Sequence, residues 1–443
     1  MNKSLKEDIK VIAKKFLEKT SNEEIQIISH FDTDGITSAS IMIQTLKKLD
    51  IRFSLKILKS LEEKFIPSLP KDKIILFLDL ASGSLNHLKN AGLKEVFIID
   101  HHEVVEKVPE GINIINPWFN EKEKLSGSGL VYLFCNELDQ NNTHLGKLAL
   151  LGMIGDIMES PLENLGDSLK LNKDIKKIKG LLIYPYTRPL NKVLEYNSQP
   201  YIPSVTGNPS GVVELLRECG IEPLKGKYKS LIELTEDEMK RLTTSIILRS
   251  PRSKNKEMIG DIFLLKFFNK LEDARELSAM INACSRLGRS DIALKFCLEI
   301  PGSRKEAEEI HAEYKQHLIS GLNLVSKIEK VEGKGFVIIN VRDQIKDTII
   351  GTIASILQNS FGYEEGTIIA TMAYYEDKIK VSARNVGRSG RNVRKILNQV
   401  IKDIGEGESG GHEFAAGCIV KQKKEKELIE NLKKNLEIEM VKI

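Results

Sequence analysis

Two short stretches of the 443-residue chain concentrate carboxylates and imidazoles. "SHFDTDG" carries His30, Asp32 and Asp34, and "IIDHHE" carries Asp100, His101 and His102 side by side. Both follow apolar runs, and so does Asp79 in "IILFLDL". Taken singly, each has an ordinary explanation. Asp32-Thr33-Asp34-Gly35 reads as a turn and helix N-cap, and Asp79 or Asp100 reads as a cap. Asp156, in "GMIGDI", is harder to dismiss. It sits in an apolar helical pattern, where a buried acid is costly unless it is paired or bound to metal.

Together these residues form a donor set of oxygens and imidazoles without a thiolate. Such sets favour Mn2+ or Mg2+ over structural zinc. Four carboxylates are too much negative charge for one divalent ion, so two ions are the natural reading. Two metals about 3.5–4 Å apart are the usual device for phosphoester hydrolysis, where they activate water and neutralise phosphoryl charge.

The elements that must position this set alternate between strand-like and helix-like. Glu24–His30, Lys73–Leu80 and Glu95–His102 are strand candidates. "GITSASIMIQTLKKL" has helical spacing, and "SGSGLVYLFCNEL" and "LGKLALLGMIGDIM" read as two more helices. This rhythm predicts an α/β domain with a parallel sheet and helices on both faces. Ligands of such sheets bind outside the carboxyl ends of the strands, which is where the acids and histidines fall. The middle of the chain reads as mostly helical, with "EAEEIHAEYKQHLISGLNLVSKIEKV" as a long connector helix. After it, "GFVIINV", "GTIIATMAYY" and "KIKVSARN" predict a second, smaller α/β domain. The expected divisions are 1–169, 170–319 and 320–443.

Bulk properties narrow the class. The chain is 41% hydrophobic and 29% charged, as expected for a soluble globular protein. No apolar run approaches the roughly 18 residues of a membrane span. The N-terminal "MNKSLKEDIKVIAKKFLEK" is a charged amphipathic helix rather than a signal peptide, so the expected location is the cytoplasm, with no membrane partner. Cys135, Cys219, Cys284, Cys297 and Cys418 form no CxxC pair and read as reduced thiols. A net charge of +4 neither requires nor excludes nucleic acid.

In order along the chain, "SHFDTDG", "LDL", "DHHE", "SGSG" and "GMIGD" resemble the motif set of the DHH phosphoesterase superfamily. "SARN" and "GGHEFAAG" resemble its DHHA1 companion domain. "INACSRLG" resembles the connecting-region motif of RecJ-like nucleases, although Ser285 stands where a glycine is usual. "YTRPL", "PYIPSVTGN" and "DTIIGTIAS" are similar to the archaeal, GINS-associated branch of those nucleases.

The resemblance implies roles position by position. Asp32, Asp34, Asp79, His101 and Asp156 match metal-ligand positions, with Asp79 as the bridge between two ions, and His30 matches the leading histidine of the first motif. Asp100 would fix an imidazole tautomer, and His102 would face the scissile phosphate as a hydrogen-bond donor or acid. Arg384 matches a position that contacts nucleic-acid backbone, and Ser126 and Ser128 read as substrate-binding with it. Arg388 and Arg391 follow closely, and a helix presenting them would form a basic edge for phosphates. Gly410, Gly411 and His412 form a tight turn whose amides and imidazole can approach a phosphate. Read without the resemblance, the arginines are a solvated basic helix face and the glycines a tight turn. The implied activity is a Mn2+- or Mg2+-dependent exonuclease acting 5′-to-3′ on single-stranded DNA, with RNA as a second substrate class. Its active site would lie in the cleft between the first and last domains. GINS and the replicative helicase are the implied partners, in DNA replication and repair. The alternatives are an oligonucleotide or cyclic-dinucleotide phosphodiesterase of the same superfamily and a structural scaffold associated with the helicase.

Overall fold

The computed structural model describes residues 4–104, 106–120, 124–158, 165, 172–197, 202–249, 258–359, 362–387 and 390–441. They divide into two units, residues 1–311 and 312–443.

The first unit opens with α1 (Leu5–Thr20), held at its start by a capping box between Ser4 and Glu7. Then come β1 (Ile25–His30), α2 (Thr33–Lys48), β2 (Phe53–Leu58), β3 (Ile74–Leu78), α3 (Leu85–Asn90), β4 (Glu95–Ile99) and β5 (Ile112–Ile115). The five strands form one sheet in the order β2-β1-β3-β4-β5, and every pairing is parallel. β1, β3 and β4 are therefore neighbours, and their carboxyl ends open on the same edge.

Strand periodicity explains the burial. Ile27, Leu76, Leu78, Phe97 and Ile99 point into one apolar cluster, while Ile28, Ile75, Phe77, Val96 and Ile98 point into another. The first is covered by α1, α2, α4 (Gly127–Leu138) and α5 (Gly146–Gly155), and the second by α3 and the 3-10 turn Glu63–Ser68. Phe16 anchors α1 by edge-on contacts with Phe97 of the sheet and Phe134 of α4, at 5.1 and 5.4 Å between ring centroids. Buried on both sides, the central strands β3 and β4 read as short continuous apolar runs.

The middle segment of this unit has the expected helices, at Leu190–Tyr196, Pro209–Glu218, Glu236–Arg249, Ala274–Arg286 and Ser290–Cys297. It also carries a three-stranded antiparallel sheet of β6 (Ile175–Leu181), β7 (Ile259–Phe267) and β8 (Lys270–Asp273). Its own apolar core runs from Leu181 to Leu264. The long connector helix spans Ser303–Val325.

The second unit is a mixed sheet ordered β13-β14-β12-β11-β10-β9. Its strands are β9 (Val331–Gly333), β10 (Phe336–Arg342), β11 (Ile368–Tyr375), β12 (Lys378–Asn385), β13 (Glu408–His412) and β14 (Ala415–Lys421). Only β10 and β11 run parallel. The strongly amphipathic helix Val393–Ile404 turns Val393, Ile396, Leu397, Val400 and Ile404 into the core of this unit. Among the described residues, no helix is long and apolar enough to cross a membrane.

Candidate metal centre

Three strand ends and two helices supply the cluster. β1 ends on His30. Asp32 follows as the N-cap of α2, and one of its oxygens, Oδ1, accepts from the Gly35 amide at 3.0 Å. Its other oxygen, Oδ2, lies 3.0 Å from His30 Nδ1. The capping reading and the ligand reading of Asp32 thus hold together, one oxygen for each. Asp34, in the first turn of α2, is fully buried.

Asp79 follows β3, with its amide donating to Ile99 O at 2.9 Å. Its φ is +59°, in the left-handed region that few non-glycine residues occupy. Such strain concentrates at functional sites. The turn directs its carboxylate between two imidazoles. Oδ2 is 3.4 Å from His30 Nδ1, and Oδ1 is 3.3 Å from His101 Nε2. His101 Nε2 is in turn 3.2 Å from Asp156 Oδ2 and 4.0 Å from Asp34 Oδ2.

Asp156 differs from its expected place. It is the C-cap of α5, just past the apolar helix, and its side chain is 21% exposed rather than sealed in the interior. An acid at a helix C-terminus is poorly placed against the helix dipole, so its setting still calls for a cation.

The donor atoms fall into groups whose members lie within 4.8 Å of one another: His30, Asp32 and Asp79; Asp34, His101 and Asp156; and Asp79, His101 and His102. His30 Nδ1, Asp34 Oδ2 and both Asp79 oxygens are buried and make no hydrogen bond among the described residues. Buried polar atoms left in this state are expensive, and divalent cations would satisfy them. His30 Nε2 faces Lys59 O at 3.2 Å. A proton on that nitrogen leaves the Nδ1 lone pair aimed into the cluster. The donor set therefore fits hard divalent ions.

Asp100 has a different task. It accepts from the amides of Ser82, His101 and His102 at 2.9, 2.8 and 3.2 Å, and its Oδ1 lies 2.7 Å from His102 Nδ1. Its acceptor capacity is taken up inside the protein. His102 is pinned by Nδ1, and its side chain is 44% exposed. Asn116 braces this loop, donating to Ser82 Oγ and His102 O at 2.9 Å each. Sequence reading missed Asn116, since a lone asparagine before a proline carries no distinctive signal.

The electrostatics follow from crowding. Burial raises Asp34, the Asp79 charge adds to it, and its carboxyl is pushed up to about 7. Burial and the Asp34 charge raise Asp156 to about 6. Burial disfavours the charged form of Asp100, but the His102 charge and hydrogen bond outweigh it and hold it well below the usual carboxylate range. Burial would lower His102, yet Asp100 overrides it and raises His102 to about 9. In His30 and His101, neighbouring carboxylates likewise overcome burial and raise the imidazoles.

The substrate-binding expectations divide. Ser126 and Ser128 are fully buried behind Asp34. Ser126 Oγ donates to Asp34 Oδ1 at 2.8 Å, and the Ser128 amide donates to the same oxygen at 3.1 Å. They orient a carboxylate and do not reach a strand. Two glycines, whose role the sequence did not disclose, make this packing possible. A Cβ on Gly127 would come within 2.8 Å of Asp79 Oδ1, and one on Gly152 within 2.4 Å of Asp34 Oδ1.

In the second unit, Arg384 of β12 and His412 of β13 both pair in register with Ala415 on β14. Arg384 is half-buried, and its Nε donates to Ser355 Oγ at 3.1 Å. Gly410, Gly411 and His412 are the exposed end of an edge strand, not a tight turn, because the chain reverses only after His412. Arg391 is buried, and its guanidinium donates to the carbonyls of Leu436 and Gly335. It is not presented to solvent, which corrects its assignment to a basic binding face. It also precedes the helix Val393–Ile404. Arg388 lies outside the described residues.

Comparison with known proteins agrees with this architecture. Residues 24–155 match the DHH family N-terminal domain, 184–259 a DHH-CID domain and 333–438 a DHHA1 domain. An uncharacterized protein of Methanocaldococcus jannaschii is 28% identical, covering 98% of both chains. The single-stranded-DNA-specific exonuclease RecJ of Bacillus subtilis is 29% identical over 33% of this chain and 20% of its own length. The Mn2+ complex of RecJ from Thermus thermophilus superposes with a TM-score of 0.59 at 17% identity, covering 97% of this chain and 54% of that one. CDC45 of Entamoeba histolytica superposes with a TM-score of 0.69 at 11% identity, covering 97% and 99%. This chain thus spans about half the length of the Thermus RecJ.

Proposed function

Because the chain belongs to the DHH and DHHA1 superfamily, with a RecJ-like fold, we propose that it is a divalent-metal-dependent exonuclease of single-stranded DNA, working 5′-to-3′, with RNA as a second substrate. One observation carries this reading. Asp79 Oδ2 lies 3.4 Å from His30 Nδ1, and its other oxygen, Oδ1, lies 3.3 Å from His101 Nε2. A carboxylate so placed could be shared by two ions.

His30, Asp32 and Asp79 would hold one ion, and Asp79, Asp34, His101 and Asp156 the other. Mn2+ is the preferred metal and Mg2+ the second. When bound, the ions would supply Lewis-acid activation of water and neutralise charge on the phosphoryl oxygens.

The chain's own residues do the rest. Ser126 and the Ser128 amide hold Asp34 in one rotamer. Asp100 accepts a hydrogen bond from His102 Nδ1 and, by raising the imidazole, maintains the imidazolium, whose side chain is 44% exposed and which carries a second proton on Nε2. From there His102 would donate a hydrogen bond or a proton to a phosphate oxygen. Arg384, Gly410, Gly411 and His412 would contact the strand backbone. The likeness to CDC45 supports association with replication proteins, for which GINS and the replicative helicase are the candidates. It also raises the alternative of a scaffold without hydrolysis, but a chain that only scaffolds has no need of a buried cluster with three carboxylate oxygens, Asp34 Oδ2 and both of Asp79, left without a hydrogen bond among the described residues.

The test is digestion of long single strands, DNA and RNA, labelled at either end, with Mn2+, Mg2+ or EDTA. The proposal expects metal-dependent release of mononucleotides from the 5′ end. Preference for dinucleotides would favour a small-substrate phosphodiesterase. No degradation by folded protein with any metal would favour the scaffold.

A further inference from the structure

We propose that the groove between the edge strand β6 and the helix Glu236–Arg249 is a docking site for an extended acidic peptide, which adds to β6 as a further strand. The groove has a volume of about 340 Å3. Its floor is apolar, made by Ile178, Ile232, Leu234 and Met239, and its rim carries Lys176, Lys179 and Lys240.

Three features choose the occupant. The first is the strand edge. β6 pairs with β7 on one side, and among the described residues no strand lies on the other. An edge of this kind presents backbone donors and acceptors at every second residue, and an extended peptide can take them. The second is charge. Lys177, on the same strand, pairs with Asp261 at 2.8 Å. Lys176, Lys179 and Lys240 are exposed, and among the described residues none makes an ion pair. Glu236 is the one carboxylate in the lining. Such a rim attracts a strand with carboxylates on alternate residues, whose intervening apolar side chains fill the floor. It repels a second copy of β6, whose own sequence, "IKKIKGL", is basic. The third is the floor itself. Single-stranded nucleic acid needs open aromatic faces for stacking. The aromatic residue in the lining, Tyr186, is 1% exposed. A peptide is therefore favoured over a nucleic-acid track.

The inference concerns a surface of the middle segment and does not rest on the nuclease reading. It is tested on the full chain by fluorescence anisotropy with a fluorescein-labelled nonapeptide alternating Glu with Val and Leu. The expected result is saturable binding that weakens with salt and falls roughly tenfold or more in the triple variant K176E/K179E/K240E. Methylating alternate backbone amides of the peptide should weaken binding to a similar degree, because it removes the strand hydrogen bonds. K240E alone, at an exposed helix position, is the second variant and should reproduce part of the loss with an unchanged melting curve. Absence of binding, equal binding by both variants, or indifference to amide methylation would overturn the proposal. So would loss of labelled oligothymidylate binding, with peptide binding retained, in the triple variant, which would make the groove a nucleic-acid track.

Discussion

His102 Nδ1 lies 2.7 Å from Asp100 Oδ1, and that carboxylate also accepts three backbone amides. Asp100 therefore cannot serve the metals, and its effect on chemistry must pass through His102. Asp100→Asn removes the charge that holds His102 near 9. The imidazole should then lose its proton at lower pH, and the alkaline limb of the pH–rate profile should move down. Activity should drop roughly 10- to 100-fold, as for other groups that orient a catalytic site. A profile of unchanged shape, merely scaled down, would show that His102 does not titrate in the rate-limiting step.

Asp79 offers an oxygen to each of two imidazoles from a left-handed backbone. Asn tolerates that backbone better than most residues, so Asp79→Asn is a fair test of the charge alone. It should abolish hydrolysis and reduce bound Mn2+, measured by calorimetry or elemental analysis. Retained activity in metal-replete buffer would sink the bridging role.

Gly152 tests how tightly the site is built. A methyl group there meets Ser128 Oγ at 2.2 Å and Asp34 Oδ1 at 2.4 Å. Gly152→Ala should displace the Asp34 carboxylate and cost about 1–3 kcal/mol of stability, the usual effect of overpacking. Urea denaturation with and without Mn2+ would measure both effects. Most of the metal-dependent stabilisation should vanish.

Metal removal should make stability depend on pH in a definite direction. Asp34 and Asp156 sit at about 7 and 6 in the folded protein, well above the ordinary carboxylate value. The folded state then binds more protons than the unfolded state between about pH 4 and 7, so stability falls as pH rises through that window. His102, raised to about 9, extends the decline above its ordinary value near 6.5. The lowered Asp100 acts oppositely, but its contribution is fully present above about pH 4 and flat thereafter. In EDTA, Tm should therefore decrease from pH 5.5 to 9. Added Mn2+ should raise Tm more at pH 8 than at pH 5.5, where protons compete for the ligands. Equal metal-induced shifts at both pH values would contradict this.

The convergence of His30, Asp79 and His101 was legible because each ends an apolar run, and β1, β3 and β4 prove to be adjacent and parallel. The edge strands β2 and β5 were not. β2, "FSLKIL", is only half-buried and mixes polar with apolar residues, and β5 has four residues. The sheet in the middle segment escaped for a related reason, since "IKKIKGL" on an edge is too rich in lysine to read as a strand. Ser126, Ser128 and Arg391 were misassigned because burial is tertiary. The residues that bury them, Asp34 for the serines and Gly335 and Leu436 for the arginine, are far away in sequence.

Arg384 and Arg391 should consequently respond to alanine in opposite ways. Arg391→Ala leaves the Leu436 and Gly335 carbonyls without a buried charged donor, at a cost of about 1–3 kcal/mol. Its effect belongs in the melting curve, not in the salt dependence of DNA binding. Arg384 is half-buried on a strand whose register row also holds His412. If it contacts a backbone phosphate, Arg384→Ala should weaken binding to all single-strand sequences alike and reduce the slope of log affinity against log salt by about 0.7. Titrations of labelled oligothymidylate at several salt concentrations, with Ca2+ in place of the active metals, would separate the two. An unchanged slope for Arg384→Ala, with a lowered Tm, would make it a structural residue held by Ser355.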